Sequence, residues 1–187
     1  MGGRAYLYTF NEGNEPIRPI SYCDWKIPLS YKILVSVNSG LIIQEFFGEN
    51  SAYSIEGNAE NGRKLLLDLL KVLMDSEISN KENFEKKVAE TIEFLEKAEN
   101  KKEFYLLCPY EILEQSSAIN IEIDNNSSIF EIAKDLFSGV KNTQRTIEEN
   151  LNFEKGKFFE LTSSLILKDL QNNWEENLGL FWTNYID

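Results

Sequence analysis

Side chains alternate from Arg4 to Phe10, with Tyr6, Tyr8 and Phe10 on one side of the chain and Ala5, Leu7 and Thr9 on the other. Period two belongs to an extended strand packed on a core, so the spacing predicts that the first element is a strand of a small sheet. Asn11 to Pro19 gathers Gly13, Asn14, Pro16 and Pro19 and reads as a loop. Pro28 then sits at a first helical position, Leu29, Ile33 and Val37 share a face, and Asn38-Ser39-Gly40 ends the helix. Leu41 to Phe47 and Ala52 to Ile55 are short apolar runs bounded by polar and glycine residues, and periodicity alone leaves strand and brief helix both open for them.

From Asn58 the period changes to that of a helix. Leu65, Leu66, Leu69, Leu70 and Leu73 form a wide apolar stripe opposite Arg63, Lys64, Asp68 and Lys71, which predicts a largely buried helix. A second helix after Ser79-Asn80 uses Phe84, Val88, Ile92 and Leu95, and the two are expected to form an antiparallel hairpin. Phe104 to Cys108, stopped by Pro109, and the alternating Ile119 to Ile123 read as further strands. Asn125 to Ser128 supplies cap residues for a helix through Ile129, Ile132, Ala133, Leu136, Phe137 and Val140, with Gly139 near its end, and more helix follows from Thr143. Leu161, Leu165, Ile166, Leu170, Trp174, Leu178, Phe181 and Trp182 describe one or two terminal helices. The expected class is α+β and mainly α: helices packed around a small sheet that includes the N-terminal strand. The expected organisation is a single compact domain over 1–187, mixed strand and helix over 1–57 and mainly helical over 58–187, with a radius of gyration of roughly 16 Å.

Composition narrows the chemistry. The 187 residues include no histidine, which removes Ser-His and Cys-His nucleophile pairs and imidazole metal ligands together. A formal charge of −12 argues against a surface that tracks phosphates, so no nucleic-acid partner is expected. No run reaches the ~18 uninterrupted apolar residues of a membrane span, and the first residues lack the apolar core of a signal peptide. A cytoplasmic protein with no membrane association is the expectation. Cys23 and Cys108 have no CxxC or CxxxH companion, which gives zinc no support, and both read as small buried hydrophobes, with a single disulfide left open.

No phosphate loop is found, because Asn58 to Gly62 lacks the Lys-Ser or Lys-Thr ending. Glu148-Glu149 and Glu175-Glu176 are paired carboxylates that a glycoside hydrolase needs, yet neighbours on a helix point apart, so they read as solvated faces. Neither cofactor, metal nor catalytic residue is assigned, and the chain is not expected to be an enzyme. Trp25 reads first as a plug of the core and second, beside Asp24, as an anchor for a partner. Asp24 also suits the cap of the following helix. Tyr110, Glu111 and Glu114 make a second candidate surface, and the candidate partner-binding set is Asp24, Trp25, Glu45, Glu49, Glu111 and Glu114.

The pattern Met1-x-x-Arg4-Ala5-Tyr6-Leu7-Tyr8, then Asp24-Trp25 and Ile27-Pro28-Leu29-x-Tyr31-Lys32-Ile33-Leu34-x-Ser36, resembles a little-characterised bacterial family that opens with an Arg-x-Tyr-Leu-Tyr strand. Its members continue with Trp, an apolar-Pro dipeptide and a helix ending in Leu-x-Ser-Gly or similar, where this chain has Val37-Asn38-Ser39-Gly40. The resemblance covers roughly the first forty residues and implies an immunity protein that binds and neutralises a cognate toxin of a secreted or contact-delivered system. No catalytic residue is implied; Arg4, Tyr6, Tyr8, Trp25 and Pro28 are types that fix a strand, a core and a helix start. The acidic charge suits a toxin with a basic cleft, since complementary charge speeds association. The alternative is a non-catalytic adaptor or homodimer using apolar helical faces, with Phe181, Trp182 and Tyr185 as anchors.

Overall fold

The period-two segment forms strand β1 (Arg4–Phe10) in the computed structural model, which describes residues 3–14, 19–47, 50–114, 129–154 and 166–182. Four more strands follow: β2 (Ser21–Asp24), β3 (Gly40–Phe47), β4 (Asn50–Asn58) and β5 (Phe104–Cys108). They build one antiparallel sheet in the order β2-β1-β5-β4-β3. The helices are α1 (Leu29–Leu34), α2 (Ala59–Met74), α3 (Lys81–Glu96), α4 (described over 110–114), α5 (Ile129–Glu154) and α6 (Ile166–Asn177), with a short 3-10 turn at Ala98–Asn100.

The expectation of helices packed around a small sheet is overturned. The sheet has five strands and forms a layer of its own, and α1, α2 and α5 pack against it, so the architecture is α+β. Helical residues still outnumber strand residues among those described. The difference comes from β3 and β4, whose short apolar runs are ambiguous in isolation and become strands by pairing Leu41 with Ile55 and Ile43 with Tyr53 across a hairpin. Strand β2, four residues long, carries too few positions for any periodicity and exists because β1 pairs with it.

The pleat gives the sheet two different faces. Ala5, Leu7, Ile55, Tyr105 and Leu107 join the main core, which draws residues from Ala5 to Leu180. Tyr8, Leu106 and Cys108, with Tyr6, Phe10, Ile42 and Tyr110 against them, form a second, smaller cluster on the other face. Helix α2 buries the whole predicted leucine stripe, each leucine at 6% exposure or less, and burial of such a side chain stabilises by roughly 2 kcal/mol. Its first turn is capped by the Asn58 side chain, which accepts from the Asn61 N–H at 3.0 Å.

Two helical details differ from the sequence pattern. In α3 the inward positions are Phe84, Val88, Thr91, Phe94 and Leu95, and Ile92 is exposed; Thr91 is held inside by its hydroxyl, which accepts from Trp182 Nε1 at 2.7 Å. Gly139 does not end its helix: α5 runs through it to Glu154. The strand expected at Ile119 to Ile123 and the positions Leu161 and Leu165 lie outside the described residues.

The two thiols are free. Cys23 stands opposite Ala5 and Cys108 opposite Tyr6, on strands separated by β1 and on opposite faces of the sheet, which puts them beyond the ~7 Å Cα limit of a disulfide.

Two glycines permit a close crossing of backbones. A Cβ at Gly57 would lie 2.4 Å from the Val35 carbonyl oxygen, and one at Gly62 would lie 2.1 Å from that of Leu34. We predict that Gly62→Ala costs about 3 kcal/mol or more in chemical denaturation, because backbone must move. Gly139→Ala, in a helix and with nothing within 4 Å, is expected to stabilise by about 0.5–1 kcal/mol in the same assay.

Candidate functional site

Arg4 opens β1 and joins three segments distant in sequence. Its Nε donates to Asp24 Oδ1 at 2.9 Å at the end of β2, and its backbone N–H donates to Glu111 Oε2 at 3.0 Å in α4. Tyr6 Oη donates to the other oxygen of Glu111 at 2.8 Å. The guanidinium lies 5.1 Å from the centre of the Tyr22 ring, which meets the Tyr6 ring at 6.4 Å. The bond that Arg4 donates to Asp24, followed by the interaction with Tyr6, drives the Arg4 pKa further above its already high value, so the charge is permanent. Both partners of the ion pair are about half exposed, 46% and 50%, so water screens it and its effect is to orient Asp24.

Trp25 directly follows that pair. It does not plug the core: its exposure is 71%, the highest among the large exposed hydrophobics described. Its φ is +68°, in the left-handed region that bulky side chains avoid, which swings the indole away from the sheet. Nor does Asp24 cap α1: the cap position is Pro28, four residues further on and without a side-chain acceptor, while Asp24 ends β2 and is engaged by Arg4. The loop is pinned at both ends. The Trp25 N–H donates to the Gly3 carbonyl at 2.7 Å, and Lys26 Nζ donates to the Glu176 carbonyl at 2.6 Å. Pro28, buried, rests on Gly179, where an added Cβ would come within 2.5 Å of the ring.

Three of the six candidate residues, Asp24, Trp25 and Glu111, are thus brought to one end of the sheet. Glu114 lies on the same short helix as Glu111 and accepts from Tyr110 Oη at 3.4 Å; burial, then the nearby Glu114, pushes the Tyr110 phenol up. That helix is placed by Pro109, whose carbonyl accepts from the Ile112 and Leu113 N–H groups, each at 3.0 Å. Glu45 belongs to β3 at the far edge of the sheet, four strand positions from β2 and so roughly 19 Å away, and does not join the group. Glu49 lies outside the described residues. Sequence reasoning assigned Arg4, Tyr6 and Tyr22 no such role; a charged residue opening an aromatic strand was the available signal for Arg4.

Other features carry less chemistry. Glu148 and Glu149 accept from Gln144 and Arg145 respectively, and Glu175 accepts from Asn80 and Asn83, so each acid has its own helical or loop partner. A groove of about 470 Å³ between α2 and α5 is lined by groups paired with each other, Lys64 with Asp68 and Gln144 with Glu148. Trp182, a proposed anchor of the adaptor alternative, stacks inside on Tyr31 and Phe94 at 5.9 and 4.8 Å, whereas Phe181 is exposed and Tyr185 lies outside the described residues. Among the described residues no group of three or more His, Cys, Asp or Glu gathers as a metal site, and no helix is long and apolar enough to cross a membrane.

The fold and the patch define an α+β protein with a five-stranded antiparallel sheet and a polar, aromatic surface at one end of it. The chain belongs to the family described as a domain of unknown function, DUF7822, matched over residues 8–153, a span that includes Asp24, Trp25 and Glu111. No curated protein and no solved structure matches it.

Trp25→Gly is expected to leave the fold intact and to stabilise it by about 1 kcal/mol, through relief of the positive φ, when measured by urea denaturation. Burial pushes both thiols up, Cys108 within the outer-face cluster and Cys23 at the half-exposed edge. A thiol reagent at neutral pH should therefore label Cys23 slowly, faster as pH rises towards its raised pKa, and Cys108 only after unfolding.

Proposed function

We propose that the chain is an immunity protein: a cytoplasmic, non-catalytic protein that binds a cognate bacterial toxin in a stoichiometric complex and neutralises it. The observation that carries the reading is the convergence of Asp24, Trp25 and Glu111 on one rigid surface, with an exposed aromatic set among carboxylates. Exposed aromatics surrounded by polar groups are the usual energetic centres of protein interfaces. The charge of −12 supports it as well, because a basic cleft attracts an acidic inhibitor and accelerates capture. The resemblance of the first forty residues to immunity proteins supplies the biological class.

Co-expression with the product of an adjacent toxin gene is expected to protect cells and to yield a co-purifying complex of one copy each. Reversing both Asp24 and Glu111 to Lys should slow association roughly tenfold at low salt, with the difference shrinking at high salt. If the pair neither protects nor co-purifies, the immunity reading is wrong.

A further inference from the structure

Trp25 violates two preferences at once. A large apolar side chain is left in water at 71% exposure, and its backbone takes a φ of +68° that glycine would adopt freely. Neither contributes to folding. Strained backbone of this kind persists where the surroundings over-determine it, and here they do: Gly3 holds the Trp25 N–H, Arg4 holds Asp24, and the Glu176 carbonyl holds Lys26. An indole displayed from so fixed a base loses little freedom when it is covered.

The surroundings also carry a sign. Around Trp25 stand the acids Asp24, Glu111 and Glu176 and the cations Arg4 and Lys26, and both of these cations already have acceptors within the chain. A second copy would bring another chain of −12 against the same acids, and an anionic lipid surface would be repelled likewise. A basic protein surface gains from both features.

We propose that Trp25 is the anchor of the partner interface, and that the partner is a basic protein surface whose apolar pocket receives the indole between Lys or Arg side chains facing Asp24 and Glu111. This rests on reading the chain as a partner-binding protein and names the chemistry of that partner. Asp24 and Glu111, fixed by Arg4, supply the charged rim, and the indole supplies the buried centre.

The test uses short, disulfide-constrained random peptides displayed on phage, selected on the full chain and then measured against it and against Trp25→Gly. Peptides enriched in Lys or Arg around an apolar residue are expected, binding more weakly by roughly tenfold or more to Trp25→Gly and weakening with salt. Their binding should shift tryptophan emission to the blue in the wild type and leave it unmoved in the variant, where only the buried Trp174 and the core-packed Trp182 remain. Trp25→Phe should recover part of the affinity, which separates loss of the ring from loss of the loop. Peptides that bind Trp25→Gly as well as wild type, an acidic consensus, or no selected peptide at all would overturn the assignment. So would a dimer, seen by light scattering, that Trp25→Gly dissolves. Failure of toxin protection with Trp25-dependent basic peptides intact strikes the immunity reading instead.

Discussion

The crossing of α1 over the junction of β4 and α2 is the constraint on which the other parts depend. Gly57 and Gly62 remove the two side chains that would collide with the Val35 and Leu34 carbonyls, and Asn58 between them donates its N–H to Val37 at 2.8 Å while its side chain caps α2. Backbone can approach backbone this closely only where Cβ is missing. With α1 seated there, its own residues reach both ends of the molecule. Tyr31 donates to the buried Ser21 hydroxyl at 2.6 Å, and Ser30 uses its N–H and hydroxyl on the Leu178 and Gly179 carbonyls at 3.0 and 2.9 Å.

The surface at the end of the sheet inherits its rigidity from this arrangement. Ser21 begins β2, Asp24 ends it, and the loop from Trp25 to Pro28 runs directly into α1 on top of Gly179. Burial drives the Tyr31 phenol well above its ordinary pKa, so it remains a donor to Ser21 at any physiological pH. Arg4 completes the patch from the other side, and since its pair with Asp24 is open to water, its contribution is position more than stability. A fixed aromatic among fixed charges is thus a product of packing elsewhere, chiefly of a six-residue helix whose own propensity is negligible.

Elements with many turns were legible because the pattern repeats. Helix α2 runs four turns and every predicted member of its leucine stripe is buried, and β1 spans the residues that its alternation marks out. Short elements were not. β3 and β4 carry apolar runs that fit either state until each meets the other, and β2 has four residues. Gly139 misled because a single glycine costs an exposed helix about 1 kcal/mol, which the rest of α5 readily offsets. The candidate surface was half legible: acids and an aromatic mark out an interface by type, but Glu45 and Asp24 read alike in a linear string and lie at opposite edges of the sheet.

Residue types and spacing alone determined the acidic charge, the absence of imidazole chemistry, the first strand and the amphipathic helices, because each is a local sum or a local period. Tertiary structure decided the five-strand layer, the free state of the two cysteines, and above all the exposure of Trp25. Hydrophobicity assigned that residue to the core; a positive φ, in a loop held by the Gly3 and Glu176 carbonyls and by the Arg4 guanidinium, turned it to solvent. Those contacts join residues up to 150 positions apart in sequence, and no window along the chain contains both ends of such a bond.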